Sequence, residues 1–330
     1  MIILEQIKIK NESDIIYAKR TLQNILKRLQ HPQSSYLVFC LMELSTNLHK
    51  YTEGGEIWIL QDSQSQIHIA SLDNGGGIEN IHWAMENGTS QKENSLGIGL
   101  YQMNHDALYH VEIVSYTKES MHGTVVLVSP RDYNPAVCSL GVPYITEKVS
   151  GDLFVKKGRF LLLADSSGHG KKAYKTAVYL KSLFYKHPFS CLIADEFFDT
   201  IHKYLKRESM RGAVLSVMEV SASSVQICGV GNISFWVQND KEFQYISQKE
   251  GIVGEVFANI DKHSFHLKKH EKLIAATDGM DVGKMEKMLQ ELPKKSSSLM
   301  IALCAMNFAS VVYDDKTIVI LEQKGRENDR

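Results

Sequence analysis

Hydrophobic residues recur at helical spacing along several stretches of the chain. From residue 14 to residue 29 they fall on one stripe, which predicts a helix with Asn11 or Ser13 as a possible N-cap. A second pattern of this kind predicts a helix from about residue 34 to residue 50. The same period predicts further helices at about 97–108, 171–186, 192–208, 283–291 and 298–308.

Other stretches alternate apolar and polar residues or are continuously apolar, as strands are. In the first half, EIWIL and IHIASL are separated by the polar segment QDSQSQ and predict a hairpin. MIILEQIKIK, VEIVSY and GTVVLV predict further strands in this half. In the second half, strands are predicted for GVPYITEKV, RFLLLAD, AVLSVMEVS, SVQICGVG, ISFWVQ, KLIAATDG and DDKTIVILEQ.

A segment of proline and polar residues, SPRDYNPAVC, separates two periodic regions and is typical of a linker. The length of 330 residues suggests about two domains. We therefore predict a first domain over residues 1–128, a linker over 129–137, a second domain over 138–322 and a charged tail over 323–330.

Composition narrows the classes of partner. The formal net charge of −1 gives no general electrostatic reason to expect nucleic acid or an anionic membrane. No apolar run approaches the roughly 20 residues of a spanning helix, and the charges in MIILEQIKIK come too early for a signal peptide. The five cysteines are scattered without a CxxC pair, which argues against a zinc knuckle or a disulfide framework. We predict a cytoplasmic protein that binds neither nucleic acid nor membrane.

Several motifs in the first half carry candidate chemistry. Glu43, Asn47 and Lys50 share one face of the second predicted helix, where they either orient a metal-bound triphosphate or form a solvated face. In LDNGGGI, Asp73 ends a strand before three glycines, which suits either an adenine-binding carboxylate or a glycine turn. SLGIGL places a Gly-x-Gly at the start of a helix, whose free N–H groups can bind an anion. HGTVVLV adds a glycine turn and a threonine that enters a strand.

Taken in order, these motifs resemble those of the GHKL (Bergerat) ATPases and are most similar to the RsbT-like branch of serine/threonine kinases and anti-sigma factors. The resemblance covers about residues 1–128 and implies an α/β sandwich that binds ATP with Mg²⁺. It implies that Glu43 is the catalytic base, that Asn47 ligates Mg²⁺, and that residues 79–96 form a mobile lid. Many relatives have proline where Gly76 stands. The resemblance also assigns nucleotide or phosphate contacts to Lys50, Asp73, Gly75, Gly77, Gly97, Gly99 and Thr124.

In the second half, the stretch LLLADSSGHGKKA ends an apolar run at an aspartate. It fails the P-loop pattern because Asp165 replaces the first required glycine and Lys172 replaces the final Ser or Thr. The carboxylate oxygens of such an aspartate are hard ligands that suit Mg²⁺ or Mn²⁺. Asp and Gly are, however, also ordinary turn residues. Acidic residues recur at other strand ends and turns, namely Asp152 in SGD, Asp278 in TDG and Asp314 with Asp315 in DDKT.

These acidic motifs, with the VGN of CGVGNISFWV between them, resemble the PPM metal-dependent protein phosphatases and are most similar to the RsbX/SpoIIE-like branch. The resemblance covers roughly residues 138–322 and implies an α-β-β-α sandwich with a centre of two Mn²⁺ or Mg²⁺ ions and no covalent phosphoenzyme. It implies that Asp165 bridges both ions and that the backbone carbonyl of Ser166, where many relatives have glycine, is a ligand. His169 is then a turn residue near the metals. The carboxylate set is completed by Asp152, Asp278 and Asp314.

Together, the two resemblances imply an α+β chain that joins a serine/threonine kinase to a phosphoserine/phosphothreonine protein phosphatase. They imply a STAS-domain anti-sigma-factor antagonist or a stressosome-like protein as the common target. Two other interpretations of the first half remain: a non-catalytic module that holds a partner or senses nucleotide, and an ATPase coupled to movement. The basic segments 170–175 and 202–207 either steer a phosphoprotein or form solvated helix faces.

Overall fold

The structure is a computed structural model, which describes residues 1–86, 98–189, 195–238, 242–256 and 259–324. Its contacts divide the chain into two compact units, and each unit is built from two separate segments. Unit 1 comprises Met1–Asn134 and Leu292–Asn307, and unit 2 comprises Pro135–Glu291 and Phe308–Arg330.

The first segment of unit 1 contains five strands and four helices. These are β1 (Ile2–Ile9), α1 (Glu12–Leu29), α2 (Ser34–Tyr51), β2 (Gly55–Gln61), β3 (Ile67–Asp73), α3 (Ile81–Glu86), α4 (Ile98–Asn104), β4 (Tyr109–Lys118) and β5 (Met121–Pro130).

The strands of unit 1 form one antiparallel sheet in the order β1-β2-β3-β5-β4, so the predicted hairpin of β2 and β3 is confirmed. Apolar residues on one face of the sheet pack against α1, α2 and α4 in a continuous core. Helix α1 begins where the sequence predicts, because Asn11 Oδ1 accepts a hydrogen bond from the Asp14 amide at 3.2 Å and Asp14 Oδ2 accepts one from the Asn11 amide at 3.1 Å. This reciprocal pair is a capping box.

The described residues of the second half form ten strands and four helices. These are β6 (Val137–Val142), β7 (Asp152–Lys157), β8 (Phe160–Ser166), α5 (Gly170–Lys186), α6 (Asp195–Arg207), β9 (Ala213–Val220), β10 (Ser224–Val230), β11 (Ser234–Gln238), β12 (Phe243–Ile246), β13 (Asp261–His266), β14 (Lys272–Ala276), α7 (Val282–Glu291), α8 (Ser298–Phe308) and β15 (Lys316–Glu322).

Unit 2 is built on two five-stranded antiparallel sheets, with the orders β13-β10-β9-β8-β7 and β12-β11-β14-β15-β6. Alternate side chains of β8 point to opposite faces of its sheet. Leu162 and Ala164 pack against α5 and α6, whereas Leu161 and Leu163 pack against the second sheet. The continuous apolar run of β8 follows from this burial on both faces.

Helix α8 has the predicted bounds, but its contacts group it with unit 1 and not with the segments on either side of it. All residues from Ser298 to Met306 are buried, so the helix is covered around its whole circumference. Two hydrogen bonds tie its ends within unit 1. The Ser297 amide donates to Glu112 Oε2 at 3.0 Å, and Asn307 Nδ2 donates to the Asp73 carbonyl at 2.8 Å.

Three strands differ from the sequence prediction. The strand predicted for GVPYITEKV is wrong in position, because β6 begins inside the predicted linker and ends at Val142. Pro143 has no N–H to donate to a neighbouring strand, which explains the end of β6. The strands β12 and β13 were not predicted, because β12 has only four residues and β13 is polar at every position except Phe265 and lies at a sheet edge.

Some predictions fall outside the described residues. Residues 87–97 hold most of the predicted lid together with Gly97, and residues 325–330 hold most of the predicted tail. Within the described ranges, no helix has the length and hydropathy needed to cross a bilayer.

Candidate functional site

Two of the predicted metal ligands lie directly opposite each other on neighbouring strands. Asp152 begins β7, Asp165 lies near the end of β8, and their Cα atoms are paired in the register of the sheet. Side chains paired in this way project from the same face. Burial, and then the charges of Asp152, Asp278 and Asp314, raises the pKa of Asp165 well above its usual range. The structure therefore brings the four predicted carboxylates to one end of unit 2.

The second sheet supplies the other two carboxylates. Asp278 follows β14 and Asp314 precedes β15, and these strands are antiparallel neighbours. Burial, and then the charge of Asp278, raises the pKa of Asp314. Asn232, in the turn between β10 and β11, donates from Nδ2 to Asp278 Oδ2 at 2.7 Å. The sequence located Asn232 in the VGN motif, but it did not indicate this role.

The surroundings of Asp152 test whether the site suits a cation. Thr277 Oγ1 donates to Asp152 Oδ2 at 2.8 Å, whereas Asp152 Oδ1 is buried and has no hydrogen-bond partner among the described residues. Burial raises the pKa of this carboxyl. A buried carboxylate oxygen without a donor, close to other carboxylates, is stabilised by a nearby positive charge. The residues present therefore fit divalent cations that take oxygen ligands.

The second aspartate of the DDKT motif has a different environment from the first. Asp315 is almost completely buried, and it accepts hydrogen bonds from the amides of Tyr144 and Gly151, each at 2.7 Å. Both carboxylate oxygens are thereby satisfied. Asp315 holds the segment that leads into Asp152, whereas the partly exposed Asp314 is left to face the cluster. No local pattern in the sequence distinguishes the role of Asp314 from that of Asp315.

Among the described residues, no three acidic, histidine or cysteine side chains already enclose one point as a ready metal site. Mg²⁺ is commonly held by one or two carboxylates and keeps several water ligands. The arrangement thus suits partly hydrated ions.

The loop after β8 is fixed by groups that the sequence did not single out. Ser166 is fully buried at the end of β8, and Arg211 Nη1 donates to the Ser167 carbonyl at 2.7 Å. The guanidinium leaves no room for a β-carbon at Gly168, whose φ of +72° also favours glycine. His169 is the N-cap residue of α5, and its Nδ1 lies 3.4 Å from Glu147 Oε1. This position accords with the expectation of a turn residue.

In unit 1, the structure brings together part of the predicted nucleotide site. Asp73 ends β3, is paired with Thr124 of β5, and accepts a hydrogen bond at Oδ1 from the Gly75 amide at 2.8 Å. Burial raises the pKa of Asp73. Thr124 Oγ1 lies 2.9 Å from Ser115 Oγ, a residue that sequence reasoning missed. Gly77 has a φ of +79° and packs against the Tyr116 carbonyl, so it requires glycine.

The remaining predicted nucleotide residues are distributed along α2 and α4. The Glu43 carboxylate on α2 lies so close to Gly99 on α4 that a β-carbon at Gly99 would clash with it. Asn47 is partly buried and Lys50 is exposed, and both lie on α2. The structure therefore joins Glu43 to Gly99 and joins Asp73 to Gly75 and Thr124.

The stacked sheets of unit 2 and the carboxylates at one end of them define a domain of the PPM phosphatase class. The family model for Stage II sporulation protein E (SpoIIE) matches residues 156–322, just over half of the chain. The chain therefore belongs to the SpoIIE family. The match begins after Asp152, which lies only four residues before it.

Similar solved structures include RsbX in complex with magnesium, at 19% identity and a TM-score of 0.46, covering 56% of this chain and 94% of RsbX. The serine/threonine phosphatase PstP/Ppp of Mycobacterium tuberculosis has 12% identity and a TM-score of 0.46, with coverages of 57% and 98%. PppA of Pseudomonas aeruginosa has 12% identity and a TM-score of 0.47, with coverages of 56% and 96%. A comparison with curated protein sequences found no match.

Proposed function

We propose that the chain is a metal-dependent phosphoserine/phosphothreonine protein phosphatase. The observation that carries the proposal is that Asp152 and Asp165 lie opposite each other on neighbouring strands, with one buried Asp152 oxygen lacking a donor, and that the charges of Asp278 and Asp314 act on Asp165. These four side chains and the backbone carbonyl of Ser166 would hold two Mn²⁺ or Mg²⁺ ions. Membership of the SpoIIE family supports the same assignment.

Divalent ions bound here supply positive charge for the phosphoryl oxygens and lower the pKa of coordinated water. The chain's own residues place the carboxylates. Thr277 fixes one oxygen of Asp152, Asn232 fixes one oxygen of Asp278, and the backbone held by Asp315 positions the start of β7. Asp165 lies opposite Asp152, and the charges of Asp152, Asp278 and Asp314 all raise its pKa. It would therefore contact both ions.

Three of the described cysteines do not suit a thiolate mechanism. Burial raises the pKa of Cys40 to about 12 and that of Cys228 to about 11, and it raises the pKa of Cys304 well above its usual value. These thiols are therefore protonated at neutral pH, whereas the thiolate is the reactive nucleophile. Metal-assisted hydrolysis needs no such group.

The test is Mn²⁺-dependent release of phosphate from a phosphoserine peptide. Asp165→Asn is expected to abolish release, whereas Glu43→Ala in the other unit is expected to retain it. Thermal unfolding of Asp165→Asn would check that the fold persists, which is expected because the change removes a repelled charge. Phosphate release that survives in Asp165→Asn would contradict the metal assignment.

For unit 1 we propose ATP binding with Mg²⁺ and phosphorylation of serine or threonine on a protein partner. The contact of Glu43 with Gly99 and the grouping of Asp73, Gly75 and Thr124 support a nucleotide site. Asn47 would ligate Mg²⁺, and Lys50 would contact phosphate. The proposed partner, and common substrate of both activities, is a STAS-domain anti-sigma-factor antagonist or a stressosome-like protein, which rests on the motif resemblance.

A non-catalytic nucleotide-sensing or partner-binding module is the alternative for unit 1. The kinase and the non-catalytic module are distinguished by incubation with labelled ATP, Mg²⁺ and a candidate STAS protein. The Asp278→Ala variant is used because an active phosphatase would remove the label. Transfer of label that is lost in Glu43→Ala supports the kinase. ATP binding without transfer supports the module.

A further inference from the structure

Helix α5 begins at Gly170, immediately after the loop that follows β8 and its Asp165, and most of its solvent-facing side chains are basic or apolar. We call these residues the α5 surface. It consists of Lys171, Lys172, Lys175, Lys181 and Lys186, together with Tyr174, Val178 and Tyr185.

The apolar members of the α5 surface form a stripe. Tyr174, Val178 and Tyr185 are spaced at i, i+4 and i+11, which places them on one side of a helix. Their exposed fractions are 45%, 47% and 44%. The core does not need them, because the buried face of α5 is already formed by Ala173, Thr176, Ala177, Leu180 and Phe184.

The charge of the α5 surface is of a single sign. Helix α5 contains no acidic residue, although the whole chain has a net charge of −1. Within the described part of the chain, none of its five lysines forms an ion pair. Basic side chains that pair with no acidic group among the described residues are suited to a partner with negative charge.

The basic surface continues onto α6. The rings of Tyr179 and Tyr204 stack with centroids 3.7 Å apart, and the Arg207 guanidinium lies over the Tyr204 ring at 4.9 Å. These contacts place the last turns of α6, with the exposed Lys203 and Lys206, beside the middle of α5. The two basic segments that the sequence shows separately therefore lie beside each other, with Arg207 paired to Glu208 and the side chains of Lys203 and Lys206 exposed.

We propose that the α5 surface docks an acidic segment of the phosphorylated protein substrate. The inference rests on the proposed phosphatase function. A phosphoryl group at the carboxylate end of unit 2 lies beside the first turn of α5, and the 17-residue helix extends about 25 Å from there. An extended segment of about eight residues covers that length. Its acidic side chains would face the lysines, and one or two apolar side chains would contact the tyrosine and valine stripe.

The experiment compares two phosphoserine peptides that share the residues next to the phosphate and differ in having acidic or neutral flanks. With Mn²⁺ at low ionic strength, kcat/KM of the wild-type chain is expected to be about tenfold higher for the acidic peptide. This preference should disappear at about 1 M salt because of screening. The K175E/K181E/K186E variant is expected to lose the preference, whereas K269E/K294E/K295E, with the same change of charge at exposed lysines elsewhere, should keep it.

Two further measurements separate docking from chemistry. Hydrolysis of p-nitrophenyl phosphate reports on the metal centre of each variant without a docked segment. Fluorescence anisotropy of the acidic peptide without phosphate reports on docking without hydrolysis, and Y174S/V178S is expected to weaken this binding severalfold through the apolar stripe.

The outcomes are distinguishable. Hydrolysis of both peptides at equal rates, or an equal loss of preference in both triple variants, would overturn the docking proposal and leave the phosphatase intact. Peptide binding that depends on the α5 lysines without hydrolysis of any phosphorylated substrate would overturn the proposed function instead. Tighter binding of single-stranded DNA or anionic vesicles than of the acidic peptide, abolished by the same variant, would assign the surface to another partner and overturn the proposal.

Discussion

Neighbouring aspartates in this chain have opposite physical roles. Asp315 is buried and satisfies two backbone amides, whereas Asp314 is partly exposed and is repelled by Asp278. The chemistry of a motif such as DDKT is therefore divided between one residue that builds the site and one that faces it.

This division predicts a contrast in stability. Asp315→Ala leaves two buried amides without an acceptor and is expected to lower the free energy of unfolding by about 3 kcal/mol. Asp314→Ala removes a repelled charge together with the acceptor of one amide, that of Asp315 at 2.8 Å, so without added metal it should lower stability less than Asp315→Ala. Urea unfolding in EDTA measures both. A larger loss in Asp314→Ala than in Asp315→Ala would contradict these roles.

Asn232 acts on the proposed metals through Asp278. Removal of a partner that orients a ligand typically weakens metal affinity by about 10–100-fold. We expect Asn232→Ala to move the Mn²⁺ concentration for half-maximal activity upward by such a factor, with much of the activity restored at saturating Mn²⁺. Asn232→Asp places a negative charge against Asp278. Its Mn²⁺ concentration for half-maximal activity should therefore differ from those of wild type and of Asn232→Ala. An unchanged Mn²⁺ midpoint in Asn232→Ala would show that this hydrogen bond does not position the ligand.

His68 is a buried group whose protonation opposes folding of unit 1. Its Nδ1 lies 2.9 Å from Ser129 Oγ, its ring contacts Tyr133, and Asp62 and His110 are the nearby titratable side chains. Burial lowers the pKa of His68 below 6.5, although Asp62 acts in the opposite direction and the terminal amine and His110 act with burial.

Because the folded-state pKa lies below the unfolded value, the unfolded chain takes up the proton first, and stability falls as the pH drops below about 6.5. Each pH unit in that window costs up to about 1.4 kcal/mol. His68→Gln removes the titration, so its unfolding free energy should decline less than that of wild type between about pH 7.5 and about pH 5. Parallel pH profiles for the two proteins would rule out a contribution from His68.

At the scale of elements, α8 is held in unit 1 by its buried surface and by hydrogen bonds at its two ends, and Asn307 supplies the bond at the C-terminal end. Asn307→Ala removes the donor to the Asp73 carbonyl and is expected to cost about 1 kcal/mol. Asn307→Asp should cost more, because a carboxylate would face the carbonyl oxygen. Hydrogen exchange of the β3 amides measures the effect locally. Equal protection of β3 in wild type and both variants would show that this bond contributes nothing.

At the scale of the whole molecule, the two units interrupt each other in sequence. The segment Leu292–Asn307 belongs to the contacts of unit 1. The face of the sheet on which Glu112 lies also carries buried apolar residues such as Trp58 and Leu127. A fragment of residues 1–134 would therefore lack the donors that Ser297 and Asn307 provide to Glu112 and to the Asp73 carbonyl. Such a fragment is expected to bind a hydrophobic dye and to unfold at lower urea than unit 1 in the whole chain. A fragment that resists urea as well as the intact protein would contradict this dependence.

The sequence by itself determined much of the local structure. The apolar period located α1, α2, α5, α7 and α8, because the buried face of each helix has to repeat with the helical turn. The carboxylates Asp152, Asp165, Asp278 and Asp314 were indicated by the resemblance of their motifs to those of the PPM phosphatases, although Asp and Gly are also ordinary turn residues. Helical periods and short motifs involve residues that are close in sequence, so a local pattern can predict them.

Only the tertiary structure decided which residues support that site and which unit each segment joins. Asn232, Thr277 and Arg211 contact partners that are 44 to 125 residues away, so no local pattern marks them. The short strand β12 and the edge strand β13 form through pairing with a neighbour and not through their own apolar content. The sequence predicts a helix at α8, and the structure buries it on all sides. A helix that is apolar on all sides does not indicate which sheet will cover it.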